Sequence, residues 1–97
     1  MPTKKIKLSA FDAADHLDSP EALAAYLSDA FATNDPRQIN QALGTAARSK
    51  GMSAVARETR LGRESLYKAL SAEGNPSFDT MLKVISALGL RLTAEAA

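Results

Sequence analysis

Apolar residues recur along most of this chain at intervals of three and four, the spacing that lines up one face of an α-helix. In "DSPEALAAYLSDAFATND", Leu23, Leu27 and Phe31 repeat every fourth residue, with Tyr26 and Ala30 beside them. Ser19 precedes a proline at the first helical position, so the pattern predicts a helix of about 14 residues opened by a side-chain cap. "DPRQINQALGTAARSKG" repeats the device: Asp35 caps, Pro36 begins the first turn, and Ile39, Leu43, Ala46 and Ala47 form the inner stripe. Gly51 is placed to end this helix in the left-handed conformation. Gly44 weakens the helix interior by ~1 kcal/mol relative to alanine, which points to close approach of a neighbour.

Two shorter patterns follow back to back in "AVARETRLGRESLYKAL", from Ala54 to Leu70. Ser53 caps the first, which turns Val55 and Ala56 inward. Arg60, Leu61 and Gly62 make the turn. Arg63 to Ser71 form the second, with Leu66 and Leu70 inward at four-residue spacing. Gly74, Asn75 and Pro76 break the pattern. Ser77 caps a last helix with Phe78, Met81, Leu82, Ile85 and Leu88 on its stripe, stopped by Gly89. "KIKL" near the start and "LRLT" near the end alternate, and each reads as a short strand. The expectation is an all-α fold: five helices, a possible strand at each end, and an N-terminal extension. Residues 1–35 form the extension and first helix, and residues 36–97 the domain that holds the helix pair.

Charge divides the chain in the same place. The formal net charge is only +1. Yet residues 1–36 carry three lysines against six acids, and residues 37–92 carry nine basic residues against four acids. Scatter of surface charge is the plain reading; two surfaces with two partners is the sharper one. There is no cysteine, which removes disulfides, thiolate metal sites and thiol nucleophiles together. His16, the sole histidine, stands near Asp12, Asp15 and Asp18, but these do not share one face at metal-ligand spacing. No glycine-rich phosphate loop is present. The composition argues against an enzyme, a bound cofactor or a metal. No apolar run reaches the ~18 residues of a membrane span, and the basic N-terminus lacks the apolar stretch of a signal peptide. A cytoplasmic protein is the expectation.

Two helices joined by a three-residue turn match the helix-turn-helix unit, whose second helix enters the DNA major groove. On that reading Ala56 is small because the second helix crosses it, and Leu61 tucks beneath the turn. Arg63, Glu64 and Lys68 then face base edges, and Ser65 and Tyr67 flank them near phosphates. Glu64 suits a cytosine amine or an ion pair with Lys68 four residues on. Tyr67 suits a phosphate contact or half-buried packing. Ser53, Arg57 and Arg60 lie on the adjoining surface, and Lys50 with Arg57 fits general electrostatics toward DNA.

These segments, with "GNPSFDTMLKVISALGLRL" after them, resemble the Xre/Cro-type repressors, and more narrowly the HigA-like antidote proteins of bacterial toxin–antitoxin modules. The resemblance spans nearly the whole chain. It implies a five-helix fold, a homodimer on an inverted-repeat operator of double-stranded DNA, and neutralisation of a RelE/ParE-like toxin. Two positions depart from the pattern: Arg60 stands where glycine is usual, and Gly62 where a Ser or Thr cap is common. Either the irregular conformation has moved to Gly62, or Arg60 holds it and its guanidinium reaches a phosphate.

A basic toxin calls for an acidic and apolar counter-surface. Residues 8–35 supply one, with Asp12, Asp15, Asp18 and Glu21 as acids and Phe11 and Leu17 as apolar anchors. The last helix and "LRLT" are the expected dimer surfaces, because a lone strand leaves an unpaired edge unless it meets "KIKL" or a second copy. Two alternatives stay open: a regulator without a toxin, and a repressor-like fold used only for protein contact.

Overall fold

The computed structural model describes residues 17–97. Among them are five helices: α1 (Pro20–Ala32), α2 (Pro36–Lys50), α3 (Met52–Thr59), α4 (Arg63–Ala69) and α5 (Phe78–Ala87). The helical starts follow the expected chemistry. The Ser19 side chain accepts from the Ala22 amide at 3.1 Å, and Pro20 occupies the first turn. Asp35 accepts from the Arg37 amide at 3.0 Å, again with a proline behind it. Ser77 accepts from the Thr80 amide at 3.0 Å. Each cap satisfies an otherwise orphaned donor and contributes about 1 kcal/mol.

The core gathers one face of each helix. Leu43 of α2, Val55 of α3, Leu66 of α4 and Val84 of α5 are fully buried, and Leu23 and Leu27 of α1 join them. α1 packs on α2, and α3 packs on α2, α4 and α5. Gly44 explains itself here: a Cβ built on it would lie 2.9 Å from the Leu70 carbonyl oxygen. The end of α4 therefore approaches the α2 backbone more closely than alanine allows.

Long-range polar contacts tie the helices where apolar burial does not. The buried Asn40 amide donates to the Gly74 carbonyl at 2.8 Å, pinning the α4–α5 loop onto α2. Lys50 donates to the Ala87 carbonyl at the end of α5 and pairs with Glu58 of α3 at 3.5 Å. Ser49 donates to the Leu17 carbonyl at 2.8 Å, fixing the approach to α1.

Several expectations are corrected. Ser53 is not a cap: α3 starts at Met52, its capping position is Gly51, and no side chain caps it. Gly51 has positive φ (110°), but its ψ of 116° lies outside the left-handed helical region. α4 ends at Ala69 rather than Ser71, whose hydroxyl folds back to donate to the Lys68 carbonyl. Phe78 and Leu82 leave the buried stripe, at 63% and 41% exposure. At ~100° per residue Leu82 lies roughly 160° round the axis from Val84, too far to share its face, whereas Phe78 lies about 20° from buried Ile85 but about two turns before it, at the first residue of α5. "LRLT" is not a strand; residues 90–97 carry no regular structure. "KIKL" lies outside the described residues.

Candidate nucleic-acid interface

The turn between α3 and α4 decides how α4 is presented. Thr59 is buried, and its hydroxyl donates to the Val55 carbonyl one turn back at 2.7 Å. Arg60 then takes the left-handed conformation at φ 62° and ψ 28°. The amides of Arg60 and Leu61 both return to the Ala56 carbonyl and close the helix. Gly62 is extended, at φ −70° and ψ 147°. Of the two possibilities at the turn, Arg60 holds the strained geometry itself, at a cost of roughly 1 kcal/mol for a residue with a Cβ. Leu61 packs against the core beneath the turn.

Behind α4, Leu66 has no exposed surface and Leu70 very little. In front, Arg63, Glu64, Ser65, Tyr67 and Lys68 are all exposed, Tyr67 at 47%. Glu64, Ser65, Tyr67 and Lys68 line one open, shallow recess with Ser71. Ser53 and Arg57 are exposed on α3, and Arg60 is exposed in the turn. The eight residues singled out for DNA contact thus share α3, the turn and the front of α4, and none is buried.

Of the two readings open for Glu64, the ion pair with Lys68 is not formed, and Lys50 differs from expectation. The ion pairs among the described residues are Arg37–Glu73, Lys50–Glu58 and Lys83–Asp79, so Glu64 and Lys68 are not joined. Lys50 ties α2 to α3 and α5 instead of standing free over the basic face.

The acidic end is partly in view. Asp18 and Glu21 are exposed at the start of α1. Leu17 is 8% exposed and belongs to the core, so its side chain is spent on packing. Phe11, Asp12, Asp15 and His16 lie outside the described residues. Asn40 and Lys50 are the structural contacts that sequence reasoning missed. Their partners stand 34 and 37 residues away, and no local signal marks them. Among the described residues, no helix is long and apolar enough to cross a membrane.

The sequence profile of a family described as "probable addiction module antidote protein" matches residues 7–96. An uncharacterized protein of Haemophilus influenzae is 43% identical over 89 residues, which is 92% of each chain. No solved structure matches the chain at a significant level. With a profile that spans almost every residue and a relative of full length, the chain belongs to the family of probable addiction module antidote proteins.

Proposed function

We propose that this chain is an antitoxin of the HigA-like, Xre/Cro type. As a homodimer it binds the operator of its own operon through α3 and α4, represses that operon, and neutralises a RelE/ParE-like toxin in the cytoplasm. Membership of the antidote family supports the toxin partner. The observation that carries the DNA reading is the three-residue turn closed by left-handed Arg60. It leaves Leu66 buried on one side of α4 and Glu64, Ser65, Tyr67 and Lys68 on an open face.

The roles divide by position. Arg63 and Lys68 reach base edges in the major groove, where an arginine or lysine suits guanine. With no partner at Lys68, Glu64 is free to accept from a cytosine amine. Ser65, Tyr67, Ser53, Arg57 and Arg60 meet phosphates, which position the protein without reading sequence. One α4 covers only a few base pairs, so two copies on half-sites about one helical turn apart are needed. Residues 36–97 hold this machinery. Residues 1–35 carry the toxin contact, with Phe11, Asp12, Asp15, Asp18 and Glu21 as its side chains.

Gel-shift titration with the DNA upstream of the chain's own operon tests the reading. A discrete shift of this DNA is expected at a protein concentration far below the one that shifts random DNA. No shift with either DNA would favour the second reading, a repressor-like fold used for protein contact alone. Co-expression with the neighbouring toxin gene separates an antitoxin from a regulator that has no toxin.

A further inference from the structure

Beyond α5 the chain turns at Gly89 (φ 81°) and runs through residues 90–97 across α1. Its side chains alternate: Leu90, Leu92 and Ala94 at one parity, Arg91, Thr93 and Glu95 at the other. Leu90 packs against the core, and Leu92 stays 39% exposed. Between this segment and α1 lies an open groove of about 680 Å³, floored by Leu27, Phe31 and Ile85. Among the described residues, no main-chain hydrogen bond is made from Arg91 onward. A segment with unpaired main chain and alternating side chains beside an apolar groove can serve as a template for strand addition.

The order of side chains says which strand fits. We infer that the segment pairs with itself, in a second copy of this chain, as an antiparallel two-stranded ribbon whose two-fold axis passes through Thr93. This rests on the homodimer reading above and gives it an interface. That register sets Arg91 opposite the partner's Glu95, and by symmetry the partner's Arg91 opposite Glu95. Leu92 meets the partner's Ala94, large against small, again twice. Thr93 meets Thr93, a favourable cross-strand pair. An axis at Arg91 or Glu95 would set like charges face to face. An axis at Leu92 or Ala94 would give neither charge an opposite charge. The Thr93 register therefore satisfies charge and size together, and a symmetric dimer must use such a self-complementary patch. The partner's Leu92 then reaches the groove over α1, where the open space lies.

The test uses sedimentation equilibrium on the full chain. Arg91→Glu and Glu95→Arg each turn two attractive cross-strand pairs into two repulsive ones, so each weakens dimerisation roughly tenfold or more. The double exchange Arg91→Glu with Glu95→Arg restores opposite charges and returns to within about threefold of the parent. Arg91, Thr93 and Glu95 are exposed, and unchanged helical circular dichroism confirms folding. Because the chain has no cysteine, Thr93→Cys gives an independent readout: under mild oxidation it forms a covalent dimer faster than Arg91→Cys or Glu95→Cys. Single variants that dimerise like the parent, or a double exchange no better than the singles, would overturn the register. A parent that is monomeric at about 100 µM, with toxin binding weakened by Arg91→Glu, would give the edge to the toxin instead. A weakened dimer lowers operator affinity without changing base preference, and base reading is tested separately through Arg63 and Lys68.

Discussion

Gly74→Ala should be among the most damaging single-methyl changes in this chain. A Cβ built at Gly74 lies 2.1 Å from the Ala69 carbonyl oxygen, 2.5 Å from that of Lys68 and 2.6 Å from the Ala69 carbonyl carbon. These are backbone atoms at the end of α4, so no side chain can swing aside. The loop must move, and its movement carries away the acceptor of the buried Asn40 amide, now bonded at 2.8 Å. Forcing atoms into packed structure costs about 1–3 kcal/mol. Stranding a buried donor costs about 1–3 kcal/mol more. The sum, roughly 2–6 kcal/mol, is a large part of the 5–15 kcal/mol that a small domain holds. For a domain of this size each kcal/mol moves Tm by about 4–8 °C, so calorimetry should show a fall of roughly 8–48 °C. Asn40→Ala alone should cost about 1–2 kcal/mol. It should cost less in the Gly74→Ala background, because the shared bond is already broken. A Gly74→Ala protein that melts within about 2 °C of the parent would refute the reasoning.

Arg60→Gly should stabilise the fold by about 0.5–1 kcal/mol in urea unfolding, since it relieves left-handed strain. The same change should weaken operator binding and lower its salt slope by about one, the signature of a lost phosphate contact. Gly62→Ser should raise stability by a few tenths of a kcal/mol by giving α4 a side-chain cap. The space is open there, with only the Ser65 hydroxyl within 4 Å of a built Cβ, at 3.8 Å. Leu66→Ala should cost about 2–5 kcal/mol, because its side chain is fully buried under α4. Removing residues 1–16 should leave thermal unfolding and operator binding near the parent while weakening rescue from the toxin in co-expression. The cut must stop before Leu17, which is buried and held through its carbonyl by Ser49.

Local chemistry was legible in the sequence and distant chemistry was not. Ser19 before Pro20, Asp35 before Pro36, and Ser77 mark helix starts because a cap acts within three residues of itself. Ser53 carried the same signal and was misread. α3 begins at Met52, two residues earlier than a Ser53 cap would start it, directly off Gly51, and a serine in a first turn looks like a cap from sequence alone. The strained residue of the turn was narrowed to Arg60 or Gly62; only backbone angles choose between them. Gly44 was legible as a point of close approach, but not that Leu70 makes the approach. Asn40 and Lys50 find their partners across the tertiary fold, beyond any periodicity. Alternation in "LRLT" reads as a strand, but a strand also needs a neighbour, and the described residues of one chain do not provide it.

The most direct test of the central claim is fluorescence anisotropy of the operon's own upstream DNA at fixed salt, comparing the parent with Arg63→Ala and Lys68→Ala. Both side chains are exposed on the open side of α4, so circular dichroism and Tm should not change. If α4 reads bases, each variant loses roughly 1–3 kcal/mol of operator affinity, about 5- to 150-fold, and relaxes preference at one base pair of each half-site. Affinity and sequence preference equal to the parent in both variants would contradict the account.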